Sequence, residues 1–168
     1  NLVVLSTTTK EGWPISETES VQGGLVVDID KVLLWEKNSL ELHQIHHGSK
    51  KTTKLNSIGS EGVKGVTELT SPSEKLEDKR FVVAETKGGK NKLKILGANM
   101  GVLIEASIRG ERVRGVVSVS RSERAILVNG GVAIVSSPDH KIREINTPDI
   151  DMDSLFKIRE GTYLGRGS

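Results

Sequence analysis

Three closely spaced histidines, His43, His46 and His47, offer imidazole nitrogens in a His-x-x-His-His pattern that a transition metal could use. The chain has no cysteine, and no carboxylate falls at a spacing that completes such a site, so surface histidines are the plainer reading. Ser120 or Ser122, Asp139 and His140 supply the residue types of a nucleophile, acid and base set, but no Gly-x-Ser-x-Gly turn accompanies them. Asp149, Asp151 and Asp153 begin like a calcium loop and then lack its glycine and terminal glutamate. The glycine pairs at 23–24, 88–89 and 130–131 precede strands rather than helices, which makes them hairpin turns and not phosphate-cradling loops. From these residues we assign no catalytic group, no metal site, no cofactor and no small-molecule substrate.

The basic residues carry a stronger pattern. Residues 1–49 have a net charge of −4, residues 50–144 of +7, and residues 145–168 of −1. A basic centre between acidic ends points to a polyanionic partner. Lys90, Lys92 and Lys94 alternate with Asn91, Leu93 and Ile95, so a strand here puts the ammonium groups on one face and the apolar side chains on the other. Arg112 and Arg114 flank Val113 in the same way, Arg121 and Arg124 border the next hairpin, and Lys50, Lys51 and Lys54 form a further cluster. With Lys64, Lys87, Lys141 and Arg143 these make up the candidate phosphate-contacting set. Each neutralised phosphate releases counterions and adds sequence-independent affinity. Only five aromatics are present (Trp13, Trp35, Phe81, Phe156, Tyr163), too few for stacking on unpaired bases, so duplex backbone contact suits the composition better. For any single charge the alternative is a solubilising strand face.

The elements that must position these residues are strands. Apolar and polar residues alternate at period two throughout, and no stretch of twelve keeps a 3.6-residue stripe. Strands are expected at 2–5, 25–29, 32–36, 40–45, 51–55, 63–69, 81–85, 92–96, 101–108, 112–119, 125–128, 132–135 and 141–145. Lys37-Asn38, Gly48-Ser49, Lys87-Gly88-Gly89, Arg109-Gly110-Glu111, Asn129-Gly130-Gly131 and Ser137-Pro138-Asp139 punctuate them as turns. Leu33, Val82 and Ile126 begin equivalent hairpins at intervals of 49 and 44 residues. Ahead of the second and third come Gly62-Val63-Lys64-Gly65-Val66 and Gly101-Val102-Leu103-Ile104, read as matching lead strands. A period of roughly 40 to 50 residues carrying about four strands is a propeller-type blade. The expected fold is therefore all-β, a repeat-built, propeller- or pinwheel-like domain of three to four antiparallel blades over residues 1–148, with 149–168 as an acidic, irregular tail.

The segment from Gly101 to Ile145 contains Gly101-Val102-Leu103-Ile104, Gly110-Glu111-Arg112-Val113-Arg114-Gly115-Val116-Val117 and Glu123-Arg124-Ala125-Ile126-Leu127-Val128-Asn129-Gly130-Gly131. It resembles one blade of the C-terminal β-pinwheel domain of bacterial type IIA topoisomerases, the A subunits of gyrase and topoisomerase IV. Fainter echoes lie at Gly62–Gly89 and around Val32. The resemblance implies a non-catalytic module that binds and bends duplex DNA on a basic rim, with strand passage residing elsewhere in a longer parent protein. The gyrase Gln-Arg-Arg-Gly-Gly-Lys-Gly signature is absent, its nearest echo being Val21-Gln22-Gly23-Gly24, so a topoisomerase IV-like or degenerate member fits better than a supercoiling one.

No apolar run approaches the roughly 18 residues of a membrane span, no signal peptide opens the chain, and the lack of cysteine fits a cytoplasmic setting. Asn1 and the closing Gly165-Arg166-Gly167-Ser168 read as the ends of a piece of something longer. The expected partners are duplex DNA and the remainder of that chain. A propeller-like protein-interaction or structural domain is the competing function, and it calls for an exposed apolar patch in place of a basic rim.

Overall fold

The computed structural model describes residues 2–15, 20–69 and 75–168, and among these the fold is all-β. The chain divides into two compact units, Asn1–Val63 and Lys64–Ser168. The first holds a hairpin of β1 (Val3–Ser6) and β2 (Glu11–Pro14), then a four-stranded antiparallel meander of β3 (Gly23–Asp28), β4 (Lys31–Trp35), β5 (Ser39–His46) and β6 (Lys51–Gly59). The second opens with β7 (Val63–Leu69), whose first residue marks the division. A single 3-10 turn at Leu76–Asp78 follows, then β8 (Arg80–Lys87), β9 (Lys90–Gly97) and β10 (Val102–Ile108), and the four strands form one meander. The next meander is β11 (Val113–Ser120), β12 (Glu123–Val128), β13 (Gly131–Ser136) and β14 (Ile142–Asn146), and a hairpin of β15 (Met152–Arg159) and β16 (Thr162–Gly167) ends the chain.

Packing in the second unit explains the sequence pattern. In β12 the side chains alternate between two faces. Ile126 and Val128 meet Val82, Ala84, Leu93 and Ile95 of the preceding meander. Ala125 and Leu127 join Ile134 and Val132 against Leu155 of the closing hairpin. A sheet covered on both sides needs apolar residues at every position, which is why β12 and β13 read as continuous runs of Ala, Ile, Leu and Val. Ile126 and Ile134 are wholly buried, and each contributes about 2 kcal/mol by the transfer of its side chain from water. In the first unit Val27, Leu33 and Leu40 are almost wholly buried.

The repeat-built, blade-like architecture agrees with the sequence reading: β4, β8 and β12 are the second strands of three four-stranded meanders, as Leu33, Val82 and Ile126 implied. Three details differ. Val102–Ile104 belongs to β10, the fourth strand of its sheet, so the Gly101–Ile104 segment does not lead the next blade. The strand in register with Val63-Lys64-Gly65-Val66 is instead Val113-Arg114-Gly115-Val116, and the same Val-basic-Gly-Val pattern opens β7 and β11. Residues 152–167, expected within an irregular tail, form β15 and β16, because Leu155 and the partly buried Met152 and Tyr163 supply an apolar face that the surrounding aspartates disguise. Glu11–Pro14 is a strand that the Gly-Trp-Pro sequence did not announce. No helix among the described residues is long and apolar enough to cross a membrane.

Candidate nucleic-acid interface

Alternation does place Lys90, Lys92 and Lys94 on one side of β9, with Leu93 and Ile95 buried on the other. The expected stripe is nonetheless largely neutralised by its neighbours. Lys92 Nζ lies 2.8 Å from Glu105 Oε1 on β10, and the hydrogen bond and opposite charge raise the lysine and lower the glutamate from their ordinary pKa values. Lys94 Nζ lies 2.9 Å from Glu85 Oε1 on β8, and both side chains are mostly buried, at 15% and 7% exposure. Lys94 is thus the counter-ion of a buried carboxylate.

Other candidates are also engaged. Lys50 pairs with Glu11 at 3.1 Å, Lys54 with Glu41 at 3.6 Å and Arg143 with Glu160 at 3.6 Å. Arg114 donates from Nη1 to the Met152 carbonyl at 2.6 Å and from Nη2 to Asp153 Oδ1 at 3.1 Å, pinning the start of β15. Arg124 donates to the carbonyls of Glu68 (3.0 Å), Ser120 (2.8 Å) and Glu123 (2.9 Å), tying β7 to β12, and burial lowers its pKa. Among the described residues, the side chains of Lys51, Lys64, Lys90, Arg112, Arg121 and Lys141 are exposed and make no ion pair. Lys87 is exposed as well.

Some of these cations are brought together by a built junction. Gly88 and Gly89, at φ +57° and +77°, make the tight turn that returns β8 into β9 between Lys87 and Lys90. The Asn91 side chain, almost fully buried, donates to the Gly110 carbonyl at 3.0 Å and accepts from the Thr86 hydroxyl at 2.8 Å. Thr86 Oγ1 in turn accepts the Val113 amide at 2.9 Å. The connection 109–112 is thereby fixed to the 87–90 turn. Gly110 sits at φ +121° with Val128 where a Cβ would be, 2.9 Å away, so no other residue fits. Asn129 donates its amide to the Arg112 carbonyl at 3.2 Å, which brings in the 129–130 turn. Lys87, Lys90, Arg109 and Arg112 therefore share one end of the two meanders, opposed by Glu111 and by Glu144, whose carboxylate accepts the Arg109 amide at 2.8 Å. Arg109 was absent from the sequence-derived set; its place in the Arg109-Gly110-Glu111 turn, beside Arg112, was the signal that could have found it.

The remaining chemistry-bearing residues are spread out. His43 bonds Thr52 Oγ1 (3.0 Å) and Glu41 (2.9 Å), His46 bonds Thr53 (2.8 Å), and His47 bonds Asp30 (2.6 Å), so the three rings face different partners. No group of three metal-ligating side chains converges among the described residues. Asp151 caps the Asn129-Gly130 turn, accepting the Gly130 amide at 2.9 Å, and Asp153 holds Arg114. In the first unit a cleft of about 540 Å³ lies beside Trp13, Leu34, Glu41, His43 and Lys51.

Sequence reasoning missed one buried polar network altogether. Glu123, 1% exposed at the start of β12, takes hydrogen bonds from Lys157 Nζ (2.6 Å), Ser120 Oγ (3.3 Å) and the Tyr163 hydroxyl. Lys157 also contacts Glu160 at 2.6 Å. Burial pushes the Glu123 carboxyl up, but the hydrogen bonds from Lys157 and Tyr163 outweigh it and hold the group below its ordinary range. Hydrogen bonds to Glu123 and then to Glu160 raise Lys157, while burial and then the Glu123 bond raise Tyr163. The network fastens the closing hairpin to β12.

No family model matches this sequence, and no curated protein does. Among solved structures the chain is similar to a protein of unknown function from Bacteroides caccae, with 12% identity, a TM-score of 0.54, and coverage of 92% of this chain and 55% of that one. It also matches Kluyvelomyces marxianus Hsv2 at 14% identity and a TM-score of 0.46, covering 77% of this chain and 40% of the other. The chain thus spans about half the length, or less, of these two structures. At 12% identity the first likeness concerns the fold alone, an antiparallel all-β architecture of repeated sheets.

Proposed function

We propose that this chain is a non-catalytic module that binds duplex DNA through its phosphates, without sequence preference, as part of a longer, topoisomerase-like protein. The observation that carries the reading is the junction at which Asn91 and Thr86 lock the 87–90 turn to the 109–112 connection, gathering Lys87, Lys90, Arg109 and Arg112 at one end of the second unit. The turns that carry these cations are held in place, so only the side chains themselves have to be ordered on contact with phosphates. Lys51, Lys64, Arg121 and Lys141 add positive charge elsewhere, whereas Lys92 and Lys94 serve their carboxylates.

The test is fluorescence anisotropy of a labelled duplex of roughly 40 base pairs at about 50 and 200 mM salt. Four phosphate contacts predict a fall in affinity of about 10²-fold over that range. The Lys90→Glu/Arg112→Glu variant should abolish binding and Lys92→Glu should leave most of it. Absence of binding at the lower salt sinks the proposal. The competing reading, a protein-interaction domain, draws on the apolar side chains Phe156, Ile158 and Leu164 exposed on the closing hairpin, and capture of a protein partner without DNA affinity would favour it.

A further inference from the structure

Asn129-Gly130 is the one Asn-Gly step in the chain. At such a step the glycine amide nitrogen can attack the asparagine Cγ, because glycine has no side chain to obstruct the approach. The new N–Cγ bond closes a succinimide as the Cγ–Nδ2 bond breaks and ammonia leaves, and water then opens the ring to aspartate or isoaspartate. One amide and one water are consumed, one carboxylic acid and one ammonia are formed, and water is the only co-reactant. The attack has three requirements: a Gly130 N–H free to lose its proton, an Nδ2 group free to leave, and a donor for the negative charge that develops on Oδ1.

The turn between β12 and β13 denies all three. Gly130 N donates to Asp151 Oδ1 at 2.9 Å and Asn129 Nδ2 donates to Asp151 Oδ2 at 3.2 Å, so one carboxylate holds both the nucleophile and the leaving group. Its charge also disfavours the amide anion that must form beside it. Asn129 Oδ1 is buried and has no hydrogen-bond donor among the described residues, so a developing oxyanion there is left unstabilised. The backbone is fixed on either side, since Asn129 N donates to the Arg112 carbonyl at 3.2 Å and the Gly130 carbonyl accepts the Thr147 amide at 2.9 Å. The guard comes from outside the turn: Asp151 immediately precedes β15, which Arg114 pins through Met152 and Asp153.

We propose that Asn129 is a deamidation site guarded by Asp151: the amide survives while the segment leading into β15 is docked on the turn, and it converts to an acid when that segment lifts. The conversion works in one direction. The new carboxylate stands where the amide had donated to Asp151 at 3.2 Å, so a hydrogen bond is replaced by two like charges and the segment re-docks poorly. Opening of the closing hairpin is thereby recorded as a covalent change in the turn it leaves.

The test holds the folded protein in mildly alkaline buffer and follows the amide-to-acid mass gain at residue 129 by peptide mass spectrometry, with a synthetic peptide of residues 125–133 supplying the unguarded rate. The proposal expects the protein to convert at least about tenfold more slowly than the peptide, and Asp151→Ala to recover about tenfold in rate, the factor carried by one charge-assisted hydrogen bond. Asp153→Ala frees Arg114 from the same segment but leaves the clamp in place, so it should keep the amide. If Asp151→Ala loses its circular dichroism, Asp151→Asn, which retains an acceptor without the charge, takes its place and should convert at an intermediate rate. Asn129→Asp should speed hydrogen exchange of residues 152–167 and leave that of β8 and β9 unchanged. Equal rates in protein and peptide overturn the proposal, as does a folded Asp151 variant that converts no faster than the native protein. So does an Asp153→Ala protein that converts as fast as the Asp151 variant, which would credit docking of the hairpin in general and not Asp151, and unchanged exchange in Asn129→Asp overturns the one-way latch.

Discussion

β11–β12 and β15–β16 share one register, every pair of the second ladder being a pair of the first moved by 39 residues, yet they are held by different forces. The first hairpin lies inside a stack, with Ile126 and Ala125 wholly buried on opposite faces. The second rests on a smaller apolar face, Leu155 with the partly buried Met152 and Tyr163, and on polar fasteners: Arg114 to Met152 and Asp153, and Lys157 and Tyr163 to Glu123. Strand register is thus a local property that a repeat copies faithfully, while burial depends on whether a neighbouring sheet is there to cover the copy. The same contrast governs charge. Lys90 and Lys94 occupy one face of one strand, but Lys94 meets a buried carboxylate across the ladder and Lys90, next to the turn, faces water.

The largest effect that would separate the two hairpins is in the stacked core. Ile126→Ala should lower unfolding free energy by about 3 kcal/mol in urea titrations, because the surrounding sheets cannot collapse around the void. A loss below about 1 kcal/mol would mean that β12 is not the covered strand described. Next comes the buried ion pair: Lys94→Ala removes the ammonium 2.9 Å from the buried Glu85 carboxylate and should cost about 2 kcal/mol while DNA affinity is retained. Parallel urea and anisotropy titrations check both halves, and a loss of affinity with stability intact would reverse the assignment of Lys90 and Lys94.

The polar fastener predicts a pH-dependent contribution to stability. Glu123 is held below its ordinary pKa, so its contribution is present above the unfolded-state value and disappears as pH falls through the folded one. Lys157→Met removes the strongest opposing influence and leaves burial opposed only by the Tyr163 and Ser120 hydrogen bonds, so the variant should lose less stability than the native protein as pH falls into the acid range. Thermal melts of both proteins from about pH 3 to 8 distinguish the slopes, and parallel profiles would show that Lys157 does not govern Glu123. The smallest effect is at matched apolar positions. Ile158→Ala should change the stability of the isolated chain by less than about 0.5 kcal/mol, whereas Val119→Ala, 39 residues earlier, should cost about 1 to 2 kcal/mol.

Much of this was legible from residues alone. Continuous apolar runs such as Ala125–Val128, bounded by Asn129-Gly130-Gly131, announced strands and a turn, and the hairpins at Leu33, Val82 and Ile126 gave the repeat. The closing hairpin was hidden because half of its apolar side chains face solvent and four acidic residues lie among residues 149–160. The 39-residue copy has only a faint sequence signature, since Ala125 and Leu164, or Ile126 and Gly165, share a pairing role without sharing chemistry.

By itself, the sequence determined the class of the fold: period-two alternation, β-branched side chains and glycine turns permit little else, and all of these act within a few residues. Only the tertiary structure decided which charges remain available, because whether a lysine faces water or a glutamate depends on the residue across the ladder. Lys92 meets Glu105, Lys94 meets Glu85, and Arg109 joins Arg112 beside the 87–90 turn only once Asn91 has closed on Gly110. Those partners are brought together by strand pairing and by hydrogen bonds between separate loops, and neither is encoded in local spacing.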